Sequence, residues 1–130
     1  MNNFFYISDI ESTTLKNENY RKVLYTSPSK HEQLVLMSLL PGEEIGAEIH
    51  KHADQFIRIE KGQGKAILTL GKKETVLPLK DGSIIIVPRG TKHNIINTSS
   101  SQKMKLYTIY SPKEHAEGER EHFKWQEPSS

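Results

Sequence analysis

Cysteine is absent from all 130 residues. That excludes disulfides, thiolate zinc sites and a cysteine nucleophile. Long apolar runs are missing too. The longest uninterrupted aliphatic stretch, Ile84-Ile85-Ile86-Val87, is far short of the ~20 residues a spanning helix needs. Neither sign of charge is in excess: 18 Lys and Arg face 16 Asp and Glu, a formal net charge of +2. No dense basic cluster stands out, so nucleic acid and membrane are not expected partners. The patch Phe4-Phe5-Tyr6-Ile7 has no basic flank and no long apolar core. No signal peptide is read there, and the cytoplasm is the expected location. What is present suits a folded chain: aromatic and β-branched residues are well represented, and this length can bury a core without staples. One domain over 1–130 is expected, with 1–18 packed against it and 112–130 as a charged tail.

From Tyr20 onward, short apolar stretches alternate with turn residues. Strands are expected over Tyr20 to Thr26, Gln33 to Leu40, Glu48 to His52, Gln55 to Glu60, Lys65 to Leu70, Glu74 to Leu79, Ile84 to Val87, His93 to Asn97 and Met104 to Tyr110. Pro41-Gly42, Gly62-Gln63-Gly64, Gly71-Lys72-Lys73, Asp81-Gly82 and Pro88-Arg89-Gly90 punctuate them. Turn signals every ~8–12 residues mark an all-β sandwich or barrel. Ile84 to Val87 reads as a fully buried strand, and no amphipathic helix is expected before residue 112. The tail either frays or is pinned by Phe123 and Trp125, its only large apolar groups.

Six histidines occur, two of them in His50-Lys51-His52. On a strand, alternate side chains share a face, so these imidazoles could converge on one metal ion. Alone, the triplet is a weak signal, and an exposed polar pair near a turn would look the same. Along Gln55 to Glu60 the odd positions read Gln, Ile, Ile, which puts Gln55 on the interior face with Ile57 and Ile59. A buried amide there needs a partner, since an unpaired one costs roughly 1–3 kcal/mol. A metal would satisfy its oxygen, and so would a hydrogen bond to a neighbouring strand. Tyr107 and Tyr110 could face the same pocket or belong to the core. Glu48 shares parity with the paired histidines and could stand behind them. His31, His115 and His122 lie in charged surroundings and are expected to be exposed, although a tail folded over the mouth would bring His115 close. Asn97 is expected to stabilise a turn.

A longer pattern joins these residues. Gly82, five residues, Pro88, one, Gly90, two, His93, three, Asn97 resembles the second motif of the cupin superfamily at every defining position. The paired histidines, an acceptor residue and Gly62 resemble its first motif. Two departures stand out: Gln55 lies seven residues before Gly62, where the family usually has Glu, and the upstream glycine is displaced. The resemblance implies a double-stranded β-helix, or jelly-roll, barrel of two antiparallel sheets. It implies one divalent metal ion (zinc, iron, manganese, nickel or copper) on His50, His52, Gln55 and His93, a small-molecule ligand or substrate, and a homodimer. Such a ligand set is neutral and leaves the cation a strong Lewis acid. It also lacks the two-histidine, one-carboxylate set of many non-haem iron oxygenases. The expected function is therefore redox-neutral isomerase or lyase chemistry on a sugar, keto acid or enol. The alternatives are a non-catalytic binding or sensor module and a metal-dependent dioxygenase.

Overall fold

Alternation decides the architecture. Along Asp54–Lys61, Gln55, Ile57 and Ile59 are buried, while Phe56, Arg58 and Glu60 are only partly covered. One face of that strand lines a core and the other looks outward. Fully burying a side chain such as Ile57 or Ile59 contributes about 1.5–3 kcal/mol. The computed structural model describes residues 4–124. Its elements are α1 (Ile10–Lys16), β1 (Arg21–Thr26), β2 (Gln33–Leu39), β3 (Asp54–Lys61) and β4 (Gly64–Leu70), then β5 (Lys73–Leu79), β6 (Ile84–Val87), β7 (Lys92–Asn97), β8 (Met104–Ser111) and β9 (Arg120–Glu121). They form two antiparallel sheets, ordered β6-β3-β8-β2-β1-β9 and β5-β4-β7. The expected all-β jelly-roll barrel is what forms. No helix among the described residues is long and apolar enough to cross a membrane.

Register places the side chains in rows. Val87, Gln55, Tyr110 and Gln33 are cross-strand partners over β6, β3, β8 and β2. The next row reads Ile85, Ile57, Thr108, Val35, followed by Ile59, Leu106, Met37. In the second sheet His93 pairs with Leu68, Ile95 with Ala66 and Asn97 with Gly64. Polar groups therefore gather at one end of the barrel, and aliphatic ones fill the middle. The far end closes tightly around Gly64, where a Cβ would lie 2.1 Å from the Ile96 carbonyl oxygen. Asn97 locks that end. Fully buried, its Nδ2 donates to the carbonyls of Leu39, Leu40 and Gln102, and its Oδ1 accepts from Ser99 N–H.

Four expectations need correction. Glu48 to His52 is not a strand: it has one isolated bridge to β7, Glu48 to His93, and Glu44 just before it bridges Ile96. Strand β6 is not fully buried. It is a sheet edge, with Ile84 at 55% and Ile86 at 66% exposure while Val87 is at 2%. A helix, α1, precedes the barrel, capped by Asp9, whose side chain accepts from Ser12 N–H. Only seven residues long and with few apolar side chains, it carries little periodicity to read. The segment after residue 112 is held by its backbone: β9 pairs with Arg21 and Lys22 of β1. Phe123 is not an anchor, being 77% exposed, and Trp125 lies outside the described residues.

Candidate functional site

The site is built where residues 43–50 run beside β7. Ile45 N–H donates to Ile95 O, Glu48 and His93 exchange two backbone hydrogen bonds, and Gly90 N–H donates to His50 O. Gly46, at φ 103°, lets the chain kink between these contacts, because left-handed backbone favours glycine. Its N–H donates to Asn94 Oδ1. The backbone then turns away at Lys51 and His52. His50 is therefore buried, with its ring centroid 5.1 Å from that of His93. His52 is exposed. The expected pairing of His50 with His52 is replaced by His50 with His93, because the alternation argument needed an extended strand that the bend interrupts.

Hydrogen bonds and one close carboxylate decide which atoms are free. The Thr91 carbonyl, an acceptor only, lies 3.0 Å from His93 Nδ1, so Nδ1 carries the proton and Nε2 keeps its lone pair. Glu114 Oε1 lies 3.0 Å from His50 Nδ1, which favours the same tautomer there. His50 Nε2 is buried without a hydrogen-bond partner. On β3, Gln55 Nε2 donates to Thr108 Oγ1, whose own proton goes to the Phe56 carbonyl. That leaves Gln55 Oε1 as a buried acceptor without a partner. Gln55 pairs across the sheet with Tyr110, and the Tyr110 ring packs edge-on against His50 at 5.3 Å. The expectation that Gln55 faces the interior matches its 4% exposure.

The surroundings are charged and partly dry. Burial lowers the pKa of the His93 imidazole, with the Thr91 carbonyl opposing. Burial raises the Tyr110 phenol far above its usual range, reinforced by Glu48. Tyr20 is pushed up to about 12, again by burial. Glu48 Oε2 is 3.7 Å from His50 Nε2, and its side chain is one-third exposed. Sequence parity had put Glu48 behind the histidines; it stands beside one instead. His115 is not the exposed residue expected. Its side chain is 15% exposed, and its Nε2 lies 3.4 Å from the Tyr110 hydroxyl. Its pKa falls to about 4, through burial first and then Arg21, His50 and Lys113. His31 and His122 are exposed.

Glu114, His115, Tyr110 and Gln33 carry no spacing signal that links them to the motifs; register and the C-terminal path bring them in. Chemically, the mouth presents buried lone pairs whose neighbouring protons are already engaged. Such a set attracts a cation or the hydrogen-bond donors of a ligand. Among the described residues, no group of three or more His, Asp or Glu side chains stands ready as a metal cluster. A cation here would need the Gln55 amide oxygen as well as the two imidazoles.

Known proteins resemble this chain. A family model described as "Cupin domain" matches residues 35–110. An uncharacterized protein of Acanthamoeba polyphaga mimivirus is 52% identical over 117 residues, covering 90% of this chain and 71% of the viral protein. The uncharacterized protein YrkC of Bacillus subtilis is 44% identical over 117 residues, covering 87% of this chain but only 60% of YrkC. The crystal structure of BH2720 from Bacillus halodurans superposes with a TM-score of 0.83 at 37% identity, covering 90% of this chain and 88% of that one.

Proposed function

Because this chain belongs to the cupin family, we propose that its barrel mouth holds a divalent cation on His50, Gln55 and His93 and acts on a small polar metabolite. The observation that carries this reading is the pair of buried acceptors without partners, His50 Nε2 and Gln55 Oε1. Leaving such atoms unpaired costs roughly 1–3 kcal/mol each, and a cation removes that cost. A cation bound there supplies a Lewis acid that polarises a carbonyl, hydroxyl or water. Imidazole and amide ligands leave its charge unreduced, which suits redox-neutral isomerase or lyase chemistry on a sugar, keto acid or enol.

The chain's own groups divide the remaining work. Glu48, beside His50 and partly open to solvent, takes the proton from the substrate. Tyr110 keeps its proton through the neutral range and donates a hydrogen bond to the bound ligand. The buried row of Ile57, Thr108 and Val35 beneath excludes water from below. His52, exposed, has no part. The nearness of Glu48 to His50 also favours a second reading. If Glu48 ligates, the set becomes two histidines and one carboxylate, the arrangement that activates oxygen on non-haem iron. The exposed Ile84 and Ile86 on the β6 edge support self-association, which light scattering would read as twice the chain mass.

Metal binding by tag-free protein tests the proposal. The wild type is expected to bind about one divalent ion per chain, His52→Ala to match it, and His93→Ala to lose it. Equal, near-zero binding by wild type and His93→Ala would overturn it. Ligand-induced thermal shifts that chelator leaves unchanged would support a binding module instead.

A further inference from the structure

The C-terminal segment reaches back over the barrel mouth, where Gln33 fastens residues 114 and 115. Gln33, fully buried on β2, accepts at Oε1 from Glu114 N–H (3.0 Å) and His115 N–H (2.9 Å). Its Nε2 donates to His115 O (2.8 Å) and to Thr26 Oγ1 (3.0 Å). Four hydrogen bonds thus satisfy the amide and fix the backbone of residues 114 and 115. Gln33 also pairs across the sheet with Tyr110, on the opposite side from Gln55, so the clamp lies in the same row as the site. Two further ties hold the segment: Lys30 bonds Glu117, and Arg21 Nη1 bonds Glu121 Oε2 at 3.2 Å.

The product of this fastening is a carboxylate at His50. We propose that Glu114 is a positioning residue that holds the proton of His50 on Nδ1 and so keeps the Nε2 lone pair facing the site. Two carboxylates compete for that ring. Glu114 Oε1 is 3.0 Å from Nδ1, and Glu48 Oε2 is 3.7 Å from Nε2. A carboxylate can only accept, so each draws the ring proton towards the nitrogen it faces. The nearer carboxylate decides, because a charge 3.0 Å from Nδ1 acts on that proton more strongly than one 3.7 Å from Nε2. Among the described residues no other group performs this for His50, whereas His93 has the Thr91 carbonyl. The two ring orientations are thus set by different means, one from the loop before β7 and one from a segment beyond β8. A carboxylate behind a ligating histidine also raises that histidine's basicity, and removing such a partner typically costs 10–100-fold in metal affinity.

The part of the test that concerns metal rests on the function proposed above; the tautomer part does not. Long-range proton–nitrogen NMR on the metal-free full chain at pH 8 reads each imidazole directly. In the wild type, His50 and His93 are both expected to be protonated at Nδ1. In Glu114→Ala the His50 proton moves predominantly to Nε2, towards Glu48, while His93 is unchanged and reports an intact fold. Glu114→Gln, which keeps a carbonyl oxygen, restores most of the Nδ1 form. Zinc affinity, measured by chelator competition, falls 10–100-fold in Glu114→Ala and less in Glu114→Gln. A wild-type His50 already protonated at Nε2, or one indifferent to Glu114→Ala, overturns the proposal even if zinc binds. A tautomer that responds as expected in a protein that binds no zinc upholds the positioning role and removes the metal reading alone.

Discussion

Two of the buried side-chain amides, Asn97 and Gln55, sit at opposite ends of the barrel and are treated differently. Asn97, at the closed end, uses its amide nitrogen three times and its oxygen once. Gln55, at the mouth, spends its nitrogen on Thr108 and leaves its oxygen with no partner. Both are almost fully buried. A satisfied amide is architecture: it ties the loops of residues 39–40 and 99–102 to β7. A half-satisfied one marks where the protein expects something from outside. The same contrast separates Gln33, fully bonded and structural, from Gln55, its counterpart on the other side of Tyr110.

The comparison breaks most visibly through Asn97. Replacing it with Ala strands three backbone carbonyls and is expected to cost about 2–4 kcal/mol in urea unfolding, with divalent-ion affinity unchanged in the folded fraction. Gln55→Leu should do the reverse. It removes the unpaired oxygen, and Thr108 still donates to the Phe56 carbonyl. Stability is expected to stay within about 1 kcal/mol while divalent-ion affinity falls roughly tenfold or more. Similar stability losses for both variants would erase the distinction.

A smaller effect sharpens it from the side of the C-terminal segment. The folded pKa of His115 lies near 4, below its ordinary 6.5. Between those values the unfolded chain binds a proton that the folded chain does not, so stability falls as pH drops from about 6.5 towards 4. Arg21, Lys113 and His50 disfavour the charged ring, and burial outweighs the pull of Glu119 Oε2, 3.4 Å from Nδ1. The thermal midpoint of the wild type should therefore decline through that window, and His115→Gln should flatten the decline. An identical slope in the variant would show that His115 is not buried as described.

Much of the fold was legible because turn chemistry and period-two alternation agree. Pro41-Gly42, Gly62-Gln63-Gly64 and Asp81-Gly82 mark strand ends, and along β3 the buried positions follow parity, which puts Gln55 inside. His93 was legible through the fixed spacing of Gly82, Pro88 and Gly90. Other features were decided by contacts distant in sequence. His52 faces solvent because the chain bends once Gly90 has taken the His50 carbonyl; local alternation cannot show that. Ile84 to Val87 reads alike for a central or an edge strand, since a short apolar run carries no neighbour count. Glu114 and His115 are held at the site through their backbone by Gln33, some eighty residues earlier.

The most direct measurement of the central claim is anomalous scattering from crystals of the tag-free protein soaked in cobalt. One peak is predicted in the barrel mouth, bonded to Nε2 of His50, Nε2 of His93 and Oε1 of Gln55 at about 2.0–2.2 Å. No peak there, or occupancy only at exposed His52, would contradict the account.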